Sequence, residues 1–343
     1  MWFTSDNAAG APPEVLRAMA AAAEGGARSY GADDVTERAR AAIREAFEAP
    51  EAAVEFVATG TAANSLALAC LAPPWGVVYA HEKAHIEEDE CAAPEFFTGG
   101  AKLRLLPGAD GKIGAEALAD RLAAAPRDVH SPQPAALSLT QATEAGAIYR
   151  VEEIAALSAA AGSAGCAVHM DGTRFANALA ATNASPAEMS WRAGVDILCL
   201  GFTKNGAPAA EAVILFDPAK AREFELRRKR AGHLWSKMRF VSAQAAAMME
   251  DGLWLRLASH ANAMAARLTE GLAEIDGVRI LHPVEANLIF VEMEAEAHRA
   301  AEAAGARYHA RPVGNGGVGA RLVCSFATTE EDVGGLLDAL RRG

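Results

Sequence analysis

Short apolar segments alternate with helical segments over the first two thirds of the chain. Seven apolar segments are rich in β-branched residues and predict strands, at 54–58, 77–80, 103–106, 135–139, 167–170, 197–201 and 212–216. Between most of them lie stretches that predict helices, such as 62–71, 115–124 and 151–161. Strands and helices that alternate in this way build parallel sheets with helices on both faces. The pattern therefore predicts an α/β fold around a mostly parallel seven-stranded sheet.

The pattern changes after Pro218, where long helical segments replace the alternation. Helices are predicted at 219–230 and at 236–275, the second broken near Gly252. A shorter mixture of elements follows, with strands at 278–281, 288–292 and 321–326 and helices at 295–304 and 330–341. This tail predicts a smaller C-terminal α/β domain. We place the boundary at residue 250, which gives a large domain over 1–250 and a small domain over 251–343.

Composition and charge exclude several classes of protein. Hydrophobic residues make up 51% and charged residues 22%, as in globular rather than disordered chains. A net charge of -12 argues against nucleic acid or an anionic membrane as partner. We find no membrane-length apolar run and no secretory signal at the N-terminus. The five cysteines are widely spaced, which predicts a reducing cytoplasm with thiols in the core, and no disulfide or metal site.

An aspartate and a lysine follow two of the predicted strands at the point where each strand ends. Asp171 comes directly after the apolar run 166–170, and Lys204 lies shortly after the strand 197–201. Open α/β sheets bind ligands at the carboxyl ends of their strands, so both side chains are expected at one site. The pair suits pyridoxal phosphate (PLP), because a lysine can form a Schiff base while a carboxylate keeps the pyridine nitrogen protonated. Taken alone, the lysine is more simply interpreted as a solvated side chain and the aspartate as a turn cap. Taken together at this spacing, the two residues favour a bound cofactor.

A candidate phosphate site lies upstream, between the first predicted strand and the helix 62–71. The turn there, Thr59-Gly60-Thr61-Ala62-Ala63-Asn64, consists mostly of small residues. Small residues let the backbone approach an anion, and a helix N-terminus offers free N–H groups and positive potential. Many strand-to-helix turns share these features, so the composition of the turn is weak evidence by itself. It becomes a candidate phosphate site because it lies where a bound cofactor would require one.

With these motifs in this order, the chain resembles the low-specificity L-threonine aldolases. These are PLP enzymes with fold type I, the architecture of aspartate aminotransferase. The resemblance covers essentially the whole chain. It rests on Ser5-Asp6-Asn7, Tyr30-Gly31 with Asp33, Gly60-Thr61-Ala62-Ala63-Asn64, Glu82-Lys83-Ala84-His85-Ile86, Ser138-Leu139-Thr140-Gln141-Ala142-Thr143-Glu144, Asp171-Gly172-Thr173-Arg174, Thr203-Lys204-Asn205-Gly206 and His233-Leu234-Trp235-Ser236-Lys237-Met238-Arg239. It implies cleavage of L-threonine, L-allo-threonine and other β-hydroxy amino acids, such as phenylserine, to glycine and an aldehyde.

The resemblance also implies roles at the cofactor. Lys204 would hold it covalently, and Asp171 would pair with its ring nitrogen. His85 would stack on the ring and take part in proton transfer. Gly60 and Thr61 would bind the phosphate.

Further roles concern the substrate and the assembly. Ser5, Arg174 and Arg321 would grip the substrate carboxylate, Arg174 lying at the cofactor as well. Arg239, with Lys229 and Tyr30, would reach the cofactor phosphate of a neighbouring subunit. The family resemblance therefore implies a homo-oligomer, a dimer or a tetramer, with shared active sites.

One departure from the family concerns a second active-site histidine. Many threonine aldolases carry it after the strand that ends here at Leu139. This chain has Thr140-Gln141-Ala142-Thr143 at that place. The base that takes the substrate hydroxyl proton is therefore left without an obvious candidate.

Several of these residues have ordinary structural interpretations. If the family resemblance is set aside, His85 is interpreted as a surface histidine. It lies beside the run Glu87-Glu88-Asp89-Glu90, which we expect to be solvated. Arg321 opens a predicted strand and reads as a strand-end charge facing water. The cluster Arg227-Arg228-Lys229-Arg230 reads as a solvated helix face, or as an anion site at a subunit interface.

Two competing functions stay open at this point. Another fold type I reaction, transamination or β-elimination, would use the same lysine and aspartate. Alternatively, the chain could be a cofactor-free homologue that acts as a binding subunit, although Lys204, Asp171 and Arg174 argue against this.

Overall fold

A computed structural model describes residues 1–343, apart from the side chain at position 315. Its larger sheet consists of β1 (Ala53–Val57), β2 (Gly76–His81), β3 (Lys102–Leu106), β4 (Gln133–Thr140), β5 (Ala167–Gly172), β6 (Ile197–Gly201) and β7 (Glu211–Leu215). The seven strands lie in the order β1-β7-β6-β5-β4-β2-β3. Neighbours are parallel except at β7, which is antiparallel to β1 and β6. The α/β fold with a mostly parallel seven-stranded sheet is confirmed.

Helices cover this sheet and link its strands. The thirteen α-helices are α1 (Pro13–Ala22), α2 (Asp34–Ala46), α3 (Gly60–Leu71), α4 (His85–Glu88), α5 (Ala93–Thr98), α6 (Ala115–Ala123), α7 (Val151–Ser163), α8 (Phe175–Ala180), α9 (Ala221–Arg230), α10 (Arg239–Met249), α11 (Leu253–Ala273), α12 (Ala295–Ala303) and α13 (Glu330–Leu340). On β6, Leu198 and Leu200 join one buried cluster while Ile197 and Cys199 join another. Successive side chains of a strand point to opposite faces, so both faces of the sheet are covered.

A second, smaller sheet follows in the C-terminal part. Its strands are β8 (Arg279–Ile280), β9 (Leu288–Glu294), β10 (His309–Pro312) and β11 (Gly317–Val323), in the order β10-β11-β9-β8. All neighbours are antiparallel. A separate hydrophobic cluster joins this sheet to α12, α13 and the later part of α11, and the side chain of Phe3 packs into it. The division at residue 250 stays a prediction, to which the structure adds that the N-terminal residues contact the second core.

Some elements differ from the sequence prediction. The helix predicted at 236–275 is two helices, separated at Glu250–Gly252, where Asp251 and Gly252 have positive φ angles of 49° and 66°. The break predicted near Gly252 is thus confirmed. Strand β11 begins at Gly317 rather than at 321, which places Arg321 inside the strand rather than at its start. Strand β10 and the short helices α4, α5 and α8 had no clear periodicity and were not predicted.

The burial of the cysteines and the length of the helices can be compared with the sequence predictions. All five thiols are free; Cys70, Cys166, Cys199 and Cys324 are buried, whereas Cys91 is exposed. The expectation that every thiol fills the core is therefore wrong for Cys91. None of the helices in the described part of the chain is both long and apolar enough to cross a membrane.

Candidate active site

A cavity of about 610 Å³ opens at the carboxyl ends of the parallel strands. Its walls include Thr61 and Asn64 of α3, His85 of α4, Thr173 after β5, and Lys204 after β6. These side chains come from four separate segments that the sheet brings to one edge. This is the position at which open α/β sheets bind their ligands.

Lys204 is held by a tight turn directly after β6. Residues Thr203–Asn205 form a 3-10 turn, and Gly206 ends it with a φ of 117°, a conformation that favours glycine. A Cβ at Gly206 would lie 2.9 Å from the ring of Phe326, so a side chain does not fit there. Burial and the positive charge of Arg174 lower the pKa of Lys204. A lysine with a lowered pKa is more readily neutral and nucleophilic.

Asp171 lies on the neighbouring strand, beneath the cavity. Its Oδ1 accepts hydrogen bonds from Thr173 N at 3.0 Å and Thr173 Oγ1 at 2.6 Å. Burial alone would raise the pKa of Asp171, but the Thr173 hydrogen bonds and the positive charges of His169, His85 and Lys204 hold it below the usual range. The side chain is therefore a buried, ionised carboxylate. Asp171 and Lys204 meet at one site, as the strand ends indicated.

Asn64 and Glu90 connect Asp171 to His85, and neither of these roles was predicted from the sequence. Asn64 Nδ2 lies 2.9 Å from Asp171 Oδ2 and 2.9 Å from Glu90 Oε1. His85 Nδ1 lies 2.8 Å from the same Glu90 oxygen. The expectation that the whole acidic run 87–90 is solvated is wrong for Glu90, whose side chain is fully buried. The uniformly acidic sequence of that run contained no signal for this, because the burial depends on the contact of Glu90 with Asn64 of α3.

His85 begins helix α4 at the cavity wall. Its hydrogen bond to Glu90 raises the pKa of the imidazole. Its backbone N–H donates to Glu144 Oε1 at 2.8 Å. Burial raises the pKa of Glu144 to about 7. Glu144 lies in the loop after β4, directly after the segment Thr140-Gln141-Ala142-Thr143, and its contact with His85 was not predicted.

The N-terminus of α3 forms another wall. Thr59 caps this helix, its Oγ1 accepting from Ala62 N at 3.2 Å. The amides of Gly60 and Thr61 precede the capped position, and first-turn amides have no acceptor within their own helix. Both residues line the cavity. A phosphate is well suited to such a helix N-terminus.

The three residues predicted for the substrate carboxylate gather around Asp6, beside the cavity rather than in its wall. Arg174 donates to both oxygens of Asp6, from Nε at 2.8 Å and from Nη2 at 3.1 Å. Ser5 Oγ donates to Asp6 Oδ1 at 3.4 Å. Arg321 donates to Thr4 O at 3.2 Å, and its buried Nε has no partner among the described residues. The prediction that Arg321 faces water from a strand end is wrong, since the side chain is half-buried within β11.

Asp6 itself was not given a role by the sequence. Burial would raise its pKa, but the charges of Arg174 and Lys204 and a hydrogen bond from Asn287 keep the pKa lowered. Asp6 and Arg174 are far apart in the chain. No local pattern predicts such a pair.

Tyr30, Lys229 and Arg239 lie outside this cavity. Tyr30 and Lys229 line a separate surface groove of about 640 Å³, with the Lys229 ammonium 4.7 Å from the centre of the Tyr30 ring. Arg239 donates to Gly25 O at 3.3 Å. In the neighbouring basic cluster, the solvated interpretation is wrong for Arg228, which is buried and paired with Glu55 at 2.7 Å. Tyr30 and Lys229 contact each other, Arg239 contacts Gly25, and none of the three lines the cavity that holds Lys204 of the same chain.

The residues present fit pyridoxal phosphate. Lys204 supplies an amine with a lowered pKa, Asp171 a buried carboxylate beneath it, and α3 an N-terminus for a phosphate. The buried oxygens Asn64 Oδ1 and Glu90 Oε2 have no hydrogen-bond partner among the described residues, as expected where a bound polar molecule completes the site. Fold and site together define a PLP enzyme of fold type I.

Comparison with known proteins narrows this class. The family model described as beta-eliminating lyase matches residues 3–296, so the chain belongs to that family. A low specificity L-threonine aldolase of Pseudomonas aeruginosa is 46% identical over 331 residues, covering 96% of this chain and 94% of that protein. The resemblance seen in the sequence is confirmed.

Solved structures agree with this placement. The threonine aldolase of Leishmania major superposes with a TM-score of 0.94 at 28% identity, covering 99% of this chain and 98% of that one. The serine palmitoyltransferase of Sphingomonas wittichii has a TM-score of 0.73 at 15% identity, covering 100% of this chain and 86% of that one. The second likeness concerns the fold alone.

Proposed function

We propose that this chain is a PLP-dependent L-threonine aldolase. It cleaves the Cα–Cβ bond of L-threonine, L-allo-threonine and related β-hydroxy amino acids, such as phenylserine, and releases glycine and an aldehyde. The observation that carries the proposal is the meeting of Lys204 and Asp171 at one strand edge, in a chain 46% identical to a threonine aldolase over nearly its whole length.

The cofactor would be held by residues of three walls. Lys204 binds it covalently, Asp171 pairs with its ring nitrogen, and the amides of Gly60 and Thr61 hold its phosphate. His85 covers the ring. When bound, pyridoxal phosphate supplies a sink for the electrons that the breaking Cα–Cβ bond releases.

Arg321 is the main residue proposed to bind the substrate carboxylate. The guanidinium of Arg174 already gives two hydrogen bonds to Asp6, whereas Arg321 keeps an unpartnered buried Nε. An arginine is suited to this role because its planar fork donates two parallel hydrogen bonds to a carboxylate. Arg174 and Ser5 are both hydrogen-bonded to Asp6, and they hold the segment around Asp6 in position. Fixing the carboxylate orients the bond that breaks.

Proton transfer is assigned to Nε2 of His85. Its Nδ1 is bonded to Glu90, so Nε2 is the ring nitrogen left to exchange a proton in the cavity. The hydrogen bond to Glu90 raises the pKa of His85, which favours the protonated ring and so its role as a proton donor.

Tyr30, Lys229 and Arg239 are proposed to act in an oligomer, a dimer or a homotetramer. Tyr30 and Lys229 line a groove apart from their own cavity, and Arg239 also lies outside that cavity. Among the described residues no carboxylate forms an ion pair with Lys229 or Arg239. A phosphate bound in a neighbouring subunit is an anion of suitable charge. The free thiols support a reducing, cytoplasmic location.

β-Elimination is the second candidate, favoured by the description of the matching family. The two reactions differ in their products from the same substrate. Elimination from threonine gives 2-oxobutanoate and ammonia, whereas aldol cleavage gives glycine and acetaldehyde.

The test is a product analysis of the purified protein loaded with pyridoxal phosphate. With L-threonine, we expect glycine and acetaldehyde in equal amounts. Lys204→Ala should give neither product. Lys220→Ala, which changes a lysine that contacts Cys70 O near the C-terminal end of α3, should behave as the unmodified enzyme. Formation of 2-oxobutanoate and ammonia, or of a pyridoxamine form of the cofactor, would contradict the proposal.

A further inference from the structure

A chain of hydrogen bonds runs beneath the cavity from His85 to Asp171. The nitrogen Nδ2 of Asn64 lies 2.9 Å from Glu90 Oε1 and 2.9 Å from Asp171 Oδ2. His85 Nδ1 lies 2.8 Å from the same oxygen of Glu90. An amide nitrogen carries two hydrogens, so Asn64 donates one to each carboxylate. The roles given to His85 and Asp171 explain neither Glu90 nor Asn64.

Glu90 is an unusual residue to bury. Its side chain has 0% exposure, and glutamate is almost never fully buried unless it is paired. Its partners are the Asn64 amide and the His85 ring. Two carboxylates that share one amide repel each other unless a cation lies close by. The His85 ring, which becomes such a cation when it is protonated, is in direct contact with Glu90.

Charged groups from four segments face His85. Glu90, after α4, contacts the ring, and Glu144, after β4, accepts from the backbone N–H. Asp171 on β5 and Lys204 after β6 act on the ring through space. The Glu90 hydrogen bond and the Asp171 charge outweigh burial and Lys204, and the pKa of His85 is raised.

We propose that Glu90 is a positioning residue that holds the His85 ring through Nδ1, and that Asn64 joins Glu90 to Asp171. Glu90 keeps the proton of His85 on Nδ1, which leaves Nε2 as the atom that exchanges a proton in the cavity. Asn64 fixes the distance between the two carboxylates at the floor of the site. The inference rests on the proposed function for the roles of His85 and Asp171, while its geometry belongs to the chain alone.

The charge of Glu90 is tested by Glu90→Gln, which keeps the shape and an acceptor oxygen. The titration of His85 is followed by NMR of cofactor-free protein labelled with ¹⁵N in its histidine rings, with His85→Asn to assign the signal. We expect the pKa of His85 to fall by about one to three pH units, the range for losing an opposite charge in contact. Glu90→Asp should restore part of the shift. Glu88→Gln, an exposed neighbour, should leave the titration unchanged.

An unchanged His85 titration in folded Glu90→Gln would overturn the role of Glu90. The unmodified protein gives a second reading that needs no variant to fold. Its ¹⁵N shifts should show Nδ1 protonated both above and below the pKa of His85. A neutral ring with the proton on Nε2 would equally overturn the proposal.

The link through Asn64 is tested by cofactor affinity. Asn64→Leu removes one hydrogen bond from Asp171, and we expect the dissociation constant of pyridoxal phosphate to rise about tenfold, measured by equilibrium dialysis. An unchanged constant would remove Asn64 from the proposal. The NMR measurements use neither cofactor nor substrate. A chain that fails to cleave threonine would therefore leave them standing, whereas a working aldolase with an unshifted His85 would refute Glu90 alone.

Discussion

The floor of the cavity and the cationic surface around Tyr30 differ in how complete they are within one chain. On the floor, Asp171, Asn64 and Glu90 are buried and bonded to one another over distances of 2.9 Å. On the surface, Tyr30 is 48% exposed, and the nearest partner of the Lys229 ammonium is its aromatic ring.

This difference indicates which functions a single subunit can perform. Buried polar groups need partners, and the floor residues supply them to one another, apart from Asn64 Oδ1 and Glu90 Oε2, which have none among the described residues. Exposed cations need no partner, because water solvates them. The floor can therefore be organised by one chain, whereas the role that we propose for the surface requires a second subunit that brings an anion to it.

The largest expected effect on this comparison is at Lys204. Lys204→Ala should abolish turnover and the visible absorption of the covalently held cofactor, because no other lysine lines the cavity within the described chain. Absorption spectra and threonine cleavage measure both losses. Lys220→Ala is the matched control. Near-normal turnover of Lys204→Ala would refute the covalent role.

Asp171 should rank second. Asp171→Asn keeps the size of the side chain but removes the charge that holds a proton on the ring nitrogen. We expect kcat to fall by about 10²–10³-fold, the usual cost of removing one preorganised electrostatic group from a reacting centre. Kinetics at saturating cofactor measure the change, with exposed Asp120→Asn as the control. A variant with near-normal kcat would remove Asp171 from the mechanism.

Arg321 belongs to neither region; it lies on β11 and donates to Thr4 O, beside the cavity. Arg321→Lys keeps the charge and loses the fork, so KM for threonine should rise by about 10–100-fold, corresponding to the loss of one charge-assisted hydrogen bond. Cofactor binding should be unaffected. Arg311→Lys, on the neighbouring strand β10, is the control. Unchanged substrate kinetics would show that Arg321 does not bind the carboxylate.

The smallest effect is expected at Arg239, and it tests the surface directly. An Arg239→Ala subunit is mixed with a Lys204→Ala subunit at low cofactor concentration. If Arg239 acts across the interface, hybrid dimers have one site with both native residues, and about a quarter of all sites in an equal mixture should be intact. No recovery, with hybrid formation confirmed by differently tagged subunits, would place Arg239 outside the neighbour's site.

The sequence predicted those features that depend on neighbouring residues along the chain. Apolar runs of strand length fixed the seven strands of the larger sheet, and their ends placed Lys204 and Asp171 at one edge. The turn Thr59–Asn64 showed its character through small residues and a cap. In each case the signal lay within a few residues.

Features that depend on distant contacts were not predicted. Glu90 stands in an acidic run and is buried only because α3 brings Asn64 to it. Asp6 engages Arg174 across most of the large domain, and Arg228 pairs with Glu55 across α9 and β1. A charge pattern does not distinguish a solvated residue from a buried one when the partner comes from another element.

The most direct test of the account is to locate the covalently bound cofactor. The enzyme loaded with pyridoxal phosphate is reduced with borohydride, digested, and analysed by mass spectrometry for the residue that carries the cofactor. We predict that Lys204 is modified with one cofactor per chain and that the exposed Lys83, near the cavity, is not modified. Modification at another lysine, or no stable modification, would contradict the assignment of this site.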